Sequence, residues 1–237
     1  MNIRKHIPNS ITCLNLLCGV AGIIALLSFK APVAAFCFML AGAGFDFCDG
    51  LSARLLGAYS PVGKELDSLA DDITFGALPA LMMHIAMTNG GMAPDNPLCW
   101  IPLLIAAFSA LRLAKFNLDE RQSSGFIGLP TPACAMICGS ICCLAAKGVW
   151  TGLFSSSWFI PAFSLLLCWL LVCEIPMFSM KIHKGDRIGA DRIAFFAVTA
   201  AAAILAIVFK WHWSAITLIS FTSYILINLA AKIWQKR

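Results

Sequence analysis

The chain has 237 residues, of which 60% are hydrophobic and 12% are charged, and its formal net charge is +5. A soluble domain of this length carries roughly twice that share of charge, so the composition excludes an ordinary water-soluble fold. It also provides no basic folded surface on which nucleic acid would bind, and we expect no nucleic-acid partner.

Hydrophobic segments recur along the whole length, and several reach the roughly 20 residues that cross a bilayer as a helix. We therefore predict an all-α, polytopic integral membrane protein that forms a single membrane domain over 1–237, with eight transmembrane helices. The predicted spans are about 10–29, 32–56, 64–88, 98–117, 131–149, 157–180, 191–209 and 213–233.

The basic residues indicate the orientation of these spans. With both termini cytoplasmic, all but three of the 17 Lys and Arg residues lie inside or at inner span ends; the exceptions are Lys30, Lys147 and Lys210. Cytoplasmic loops of membrane proteins carry this excess of Lys and Arg. We expect a protein of the cytoplasmic (inner) membrane with both ends inside.

The first span begins with polar residues at helical spacing: Asn9, Thr12 and Asn15. Residues three apart share one face of a helix, so these side chains form a stripe. Such a stripe is typical of hydrogen bonds between membrane helices, and contact with a bound ligand is the alternative.

Four carboxylates interrupt the second and third spans. Asp46 and Asp49 are three positions apart, and Asp67 and Asp71 are four apart, so each pair lies on one helical face. Two helices joined by a short turn can direct all four carboxylates to one point. A hard divalent cation, or two, would relieve the repulsion between them.

The carboxylates lie close to the cytoplasmic ends of their helices. Asp49 precedes Arg54 by five residues and Asp67 follows Lys64 by three, which places both pairs roughly 5–12 Å inside the helix ends. A cation transporter would place its carboxylates near the midplane of the bilayer. This depth instead favours chemistry between a lipid and a water-soluble molecule, with the active site facing the cytoplasm.

The fourth span ends in a second charged group. Arg112 and Lys115 are three residues apart and face one side of the inner end. They are interpreted either as flanking charge of the inner membrane surface or as the site that captures an anionic group.

The carboxylates belong to a longer pattern that runs from Asp46 to Asp71. It reads Asp-x-x-Asp-Gly-x-x-Ala-Arg, eight residues, then Gly-x-x-x-Asp-x-x-x-Asp. This pattern resembles the signature of the CDP-alcohol phosphotransferases, integral membrane enzymes of phospholipid synthesis. Within that family, the segments 7–19, 67–79, 112–117 and 126–130 are similar to phosphatidylserine synthases, although Lys115 stands where arginine is more usual.

The resemblance implies transfer of the phosphatidyl group from CDP-diacylglycerol to the hydroxyl of L-serine, with release of CMP. It also implies a divalent cofactor, Mg²⁺ or Mn²⁺ with two ions expected, and a homodimer surrounded by membrane lipids. A six-span catalytic core over 7–181 and two additional C-terminal spans over 190–237 follow from the same comparison.

The resemblance implies roles for the residues of this chain that stand at matching positions of the family's pattern. Asp46, Asp49, Asp67 and Asp71 would hold metal, and Asp71 would also be the base that takes the serine hydroxyl proton. The residues expected to bind CDP-diacylglycerol are Asn9, Thr12, Gly50, Ala53, Arg54 and Gly63. The residues expected to bind serine are Arg112, Lys115, Asn117 and Lys181.

Two alternatives remain open at this point. The first is a transferase of the same family that uses glycerol 3-phosphate or inositol phosphate, although a phosphate-bearing acceptor calls for a denser basic cluster than Arg112 with Lys115. A cation transporter is the second alternative, and the depth of the carboxylates argues against it.

Overall fold

The computed structural model describes residues 6–119, 126–154, 156–178 and 189–235, and helices make up most of these ranges. The α-helices are α1 (His6–Leu27), α2 (Pro32–Leu56), α3 (Pro61–Asp71), α4 (Leu78–Asn89), α5 (Leu104–Leu118), α6 (Thr131–Ala146), α7 (Thr151–Phe154), α8 (Phe159–Val172), α9 (Ala190–Val208) and α10 (Ser214–Gln235). Two strands of two residues each, β1 (Phe126–Ile127) and β2 (Pro176–Met177), pair antiparallel. The prediction of an all-α fold is confirmed.

Five helical segments in the described ranges are long and apolar enough to cross a membrane. They are His6–Leu27, Pro32–Leu56, Pro97–Leu118, Asp191–Val208 and Ser214–Lys232. The helices α6 and α8 are apolar but shorter. An integral membrane protein is therefore supported, whereas eight spans and the orientation of the termini stay predictions.

The predicted third span is one helical path made of three parts. Ser60 caps α3 by accepting a hydrogen bond from the Gly63 backbone N–H at 3.0 Å, and Pro61 occupies the first turn, where its missing N–H costs nothing. A π-helical turn, Asp72–Ala77, follows α3 directly and leads into α4. Turns of this kind inside α-helices occur frequently at functional sites, and this one begins immediately after Asp71.

The helix α8 is shorter than the predicted sixth span, 157–180. It ends at Val172, and the backbone of Cys173 is extended. Pro176 explains the early end, because proline has no backbone N–H and disfavours a helical conformation in the residue before it. The chain then forms β2 against β1, and the Gly128 backbone N–H donates to the Ile175 carbonyl at 2.9 Å.

The first helix begins earlier than the predicted residue 10. It starts at His6 and includes Pro8. Pro8 lies in the first turn, where a backbone N–H has no partner inside the helix, so proline is tolerated there. The earlier start places Asn9 and Thr12 on regular helix near the N-terminal end of α1.

The core is built around α6. Every residue of this helix from Ala133 to Leu144 is buried, and it packs against α2, α4 and α10. In a membrane such continuous burial marks a helix surrounded by other helices rather than by lipid. The N-terminal end of α6 is Thr131, which is also fully buried and lies beside the charged end of α5.

Candidate active site

Three carboxylates converge where α2 meets α3. Asp46 and Asp49 lie one turn apart on α2, Asp67 lies on α3, and one carboxylate oxygen from each is within 4.8 Å of the others. Asp49 is buried, with 6% of its surface exposed, and the other two are half-buried. Periodicity within each helix and the short connection between them produce this convergence, as expected from the spacing.

The donor set fits a divalent cation. Oδ2 of Asp49 is buried and has no hydrogen-bond partner among the described residues, although a buried carboxylate oxygen normally has one. Three carboxylates at this separation repel one another unless a cation lies among them. All the ligand atoms are oxygens, which Mg²⁺ and Mn²⁺ prefer.

Asp71 lies deeper than this cluster and has its own partner. Only 8% of its surface is exposed, and its Oδ1 accepts a hydrogen bond of 3.0 Å from Nδ2 of Asn15 on α1. Its carboxylate also interacts electrostatically with Asp46 and Asp67. Asp71 is therefore next to the three-carboxylate cluster but oriented by α1.

Asn15 was not among the predicted site residues. It is fully buried, and its backbone carbonyl accepts a hydrogen bond of 3.0 Å from the Thr74 hydroxyl in the π-helical turn. This bond fixes Asn15 while its side chain holds Asp71. The polar stripe Asn9, Thr12 and Asn15 was the sequence signal, but spacing alone did not reveal which carboxylate Asn15 would contact.

A cavity of about 590 Å³ opens beside the cluster, between the N-terminal ends of α1 and α3 and the C-terminal end of α2. We call it the α1–α3 cavity. It is lined by Asp49 and Asp67 and by five of the residues expected to bind CDP-diacylglycerol: Asn9, Thr12, Gly50, Ala53 and Gly63. The structure thus brings these five residues together next to two carboxylates of the cluster.

The glycines of the α1–α3 cavity differ in what surrounds them. A Cβ on Gly63 would lie 2.9 Å from Oδ1 of Asn9, so a side chain there would force the Asn9 side chain to move. A Cβ on Gly50 would meet nothing within 4 Å. Arg54, the sixth residue expected to bind this substrate, is outside the cavity lining, and its Nε donates to the Gly50 carbonyl at 3.0 Å.

A second cavity, of about 390 Å³, lies at the C-terminal end of α5, and we call it the Arg112 cavity. It is lined by Arg112, Lys115, Leu118, Asp119, Ile127, Leu171, Val172, Cys173 and Glu174. Arg112 is 6% exposed, donates from Nη1 to the Thr131 hydroxyl at 3.2 Å, and packs over the Phe116 ring at 5.4 Å. It also interacts electrostatically with Asp71.

The other residues expected to bind serine are placed differently. Asn117 is outside the lining of the Arg112 cavity; its Nδ2 donates to the Ser68 hydroxyl at 2.7 Å, and its carbonyl accepts from Nζ of Lys64 at 2.8 Å. Both bonds join the end of α5 to α3, the helix that carries Asp67 and Asp71. Lys181 lies outside the described residues.

A known protein family matches most of the chain. Residues 5–173 match the model of the CDP-alcohol phosphatidyltransferase family. The chain belongs to this family. The resemblance inferred from the residues Asp46 to Asp71 is confirmed, since the matched region contains the whole pattern.

Relatives within the CDP-alcohol phosphatidyltransferase family cover most of the chain. A CDP-diacylglycerol–serine O-phosphatidyltransferase of Mycobacterium leprae is 34% identical over 212 residues, which is 84% of this chain and 67% of the relative. The protein of that name from Methanocaldococcus jannaschii is 30% identical over 201 residues, 76% of this chain and 91% of the relative. The Bacillus subtilis protein is 37% identical over 133 residues, 56% and 72% respectively.

Proposed function

We propose that this chain transfers the phosphatidyl group of CDP-diacylglycerol to the hydroxyl of L-serine and releases CMP. The observation that carries this proposal is the position of Asp71. Asp71 is held by Asn15 beside the carboxylate cluster, and it also interacts electrostatically with Arg112, which lines the other cavity. A base in that position can take the proton of an acceptor hydroxyl as the hydroxyl oxygen attacks the phosphorus.

The α1–α3 cavity is the proposed site of CDP-diacylglycerol. Its small residues, Gly50, Ala53 and Gly63, leave the backbone accessible to a bulky ligand, and its position at the inner helix ends suits a lipid with a polar nucleotide head. Asp46, Asp49 and Asp67 would hold Mg²⁺ or Mn²⁺, and two ions with Asp71 at the second remain our prediction. When bound, such ions neutralise the diphosphate charge and stabilise the leaving CMP.

The Arg112 cavity is the proposed serine site. Arg112 offers a planar set of N–H donors that matches a carboxylate, and its bond to Thr131 and contact with Phe116 fix its orientation. Asp71, oriented by Asn15, takes the proton of the serine hydroxyl. The hydroxyl oxygen forms a bond to the phosphatidyl phosphorus, and the bond from that phosphorus to the oxygen of CMP breaks.

We also propose the full topology of eight spans. The three beyond the five long helices would be the continuous path from Pro61 to Asn89 and the helices α6 and α8. In this arrangement both termini and both cavities face the cytoplasm. The chain is a single membrane domain over 1–237, with a six-span core over 7–181, two additional spans over 190–237, and a homodimer as the predicted assembly.

A competition assay tests the choice of acceptor. Purified protein with radiolabelled CDP-diacylglycerol is given equal concentrations of L-serine, glycerol 3-phosphate and inositol 1-phosphate, and the lipid products are separated. We expect phosphatidylserine as the main product. A phosphate-bearing lipid product in excess of phosphatidylserine would overturn the proposal.

A further inference from the structure

The Arg112 cavity contains both signs of charge. Besides the cations Arg112 and Lys115, its lining includes the carboxylates of Asp119 and Glu174, and most of the remaining lining is apolar. A site built only to hold an anion has no use for acidic side chains, which repel the ligand. Two cations and two anions around a small apolar cavity match a ligand that carries both charges.

Glu174 lies on a backbone segment that is anchored to the start of α6. The Gly128 backbone N–H donates to the Ile175 carbonyl at 2.9 Å, and β2 pairs with β1 just beyond it. Gly128 has a φ of 78°, and a Cβ there would lie 2.9 Å from the Cys173 carbonyl. Only glycine permits this close approach, so residues on both sides of Glu174 are held in place.

The helix α10 holds the other side of the same segment. The Phe178 backbone N–H donates to Oδ1 of Asn228 at 2.7 Å, and the Tyr224 hydroxyl donates to the Phe178 carbonyl at 2.9 Å. Tyr224 and Asn228 are 2% and 4% exposed. Because both backbone groups of Phe178 are bonded to a buried helix, the segment that carries Glu174 forms a fixed wall of the cavity.

We infer that Glu174 and Asp119 bind the α-ammonium group of the acceptor, while Arg112 and Lys115 bind its carboxylate. The inference rests on the proposed function and adds the group that makes the acceptor site specific for a zwitterionic amino acid. The ammonium and carboxylate of an α-amino acid are attached to one carbon, so their partners must lie around one small cavity. The apolar lining strengthens these interactions because it lowers the local dielectric constant.

The same carboxylates select against other acceptors of the family. Glycerol 3-phosphate and inositol phosphate carry a phosphate and no ammonium group. In the Arg112 cavity their negative charge faces Glu174 and Asp119, and like charges brought together in an apolar site disfavour binding. Specificity for the amino acid therefore comes from repulsion as well as from attraction.

The test removes one charge from the protein and the matching charge from the ligand. Full-length protein in lipid nanodiscs is prepared as wild type, Glu174→Gln, Asp119→Asn and the control Glu65→Gln, which removes the same charge from an exposed position of α3. Equilibrium binding is measured for L-serine, for 3-hydroxypropanoate, which lacks the ammonium, and for ethanolamine, which lacks the carboxylate. The KM values for L-serine and CDP-diacylglycerol are measured in parallel.

We expect Glu174→Gln to weaken L-serine binding by at least about tenfold, since a charge-assisted hydrogen bond is lost, with a smaller effect from Asp119→Asn. Ethanolamine binding should weaken in parallel, while 3-hydroxypropanoate binding should stay equal or become tighter. The KM for CDP-diacylglycerol and all values for Glu65→Gln should stay within about twofold of wild type.

Two results would overturn the inference. In one, both variants bind L-serine within twofold of wild type. In the other, Glu174→Gln weakens L-serine and 3-hydroxypropanoate equally, as a general disturbance of the cavity would. The binding data also separate the two proposals: a wild type that shows the expected ligand pattern but forms no phosphatidylserine contradicts the proposed function alone, whereas one that binds no L-serine contradicts both.

Discussion

Asn15 and Asp71, 56 positions apart in the chain, are joined by a hydrogen bond of 3.0 Å in the buried interior. The Asn15 amide donates to Oδ1 of the carboxylate and so orients the proposed base. Asn15 is itself fixed by Thr74 through a bond to its backbone carbonyl. The first helix therefore contributes to the chemistry of the third, and this relationship gives the first prediction.

Replacing Asn15 by leucine should lower kcat by about 10-fold to 100-fold, because a hydrogen bond to a charged group contributes roughly 1.5–3 kcal/mol. The KM values for both substrates should change little, since Asn15 lines neither cavity in the described part of the chain. The measurement is the initial rate of phosphatidylserine formation. Ser10→Ala, an exposed change on the same helix, is the control, and a normal kcat for Asn15→Leu would show that the bond does not orient the base.

Removal of divalent ions should abolish CMP release. Asp46, Asp49 and Asp67 each place one carboxylate oxygen within 4.8 Å of the others, and a divalent ion held there would neutralise the diphosphate as it reacts. Activity should return on addition of Mg²⁺ or Mn²⁺ in excess of the chelator. Full activity in excess EDTA would show that the reaction needs no divalent ion.

Changing Asp49 to asparagine should reduce turnover by at least about 100-fold, which is the usual effect of removing one electrostatic contact to a reacting centre. The loss should be accompanied by weaker activation by Mg²⁺, measured as the metal concentration at half-maximal rate. Glu65→Gln serves as the matched change in charge on the exposed face of α3. Unaltered metal dependence in Asp49→Asn would place the ligands elsewhere.

A substitution at Gly50 should affect substrate binding without lowering stability. A Cβ at this position meets no protein atom within 4 Å, and glycine within a helix costs roughly 0.5–1 kcal/mol relative to alanine. Gly50→Leu should therefore leave the thermal midpoint equal or higher while its side chain fills the α1–α3 cavity and raises the KM for CDP-diacylglycerol by about tenfold. A wild-type KM in this variant would mean that the lipid nucleotide binds elsewhere.

Asn117 is predicted to act on α3 rather than on the acceptor. Its side chain bonds to Ser68, so Asn117→Ala and Ser68→Ala should have similar effects, and the double variant should be no worse than either single one. The catalytic rate and the serine KM of all three variants form a double-mutant cycle. Additive losses of catalytic rate, or a rise in the serine KM for Asn117→Ala alone, would indicate that Asn117 binds serine.

Local patterns in the sequence were sufficient to predict much of the site. The spacing of Asp46, Asp49, Asp67 and Asp71 places each pair on one face of its own helix, and consecutive helices bring such faces together. The structure collects three of the four into one group and sets Asp71 beside it. That difference depends on Asn15, whose contact is long-range, and spacing along one helix carries no information about such contacts.

Hydrophobicity alone predicts the wrong end for the sixth span. The sequence from 157 to 180 is apolar enough to suggest one helix, yet α8 ends at Val172 and the chain turns into β2. Pro176 was a visible signal against helix, but the partner strand β1 lies about 50 residues earlier in the chain. The position of Glu174 in the wall of the Arg112 cavity depends on that distant pairing, so it was missed.

The most direct test of the whole account is CMP release from CDP-diacylglycerol by the purified protein, measured with and without L-serine. We predict that release depends on L-serine and on a divalent ion, and that one phosphatidylserine forms for each CMP. Release that is unaffected by L-serine, or that leaves no phosphatidylserine, would contradict the account.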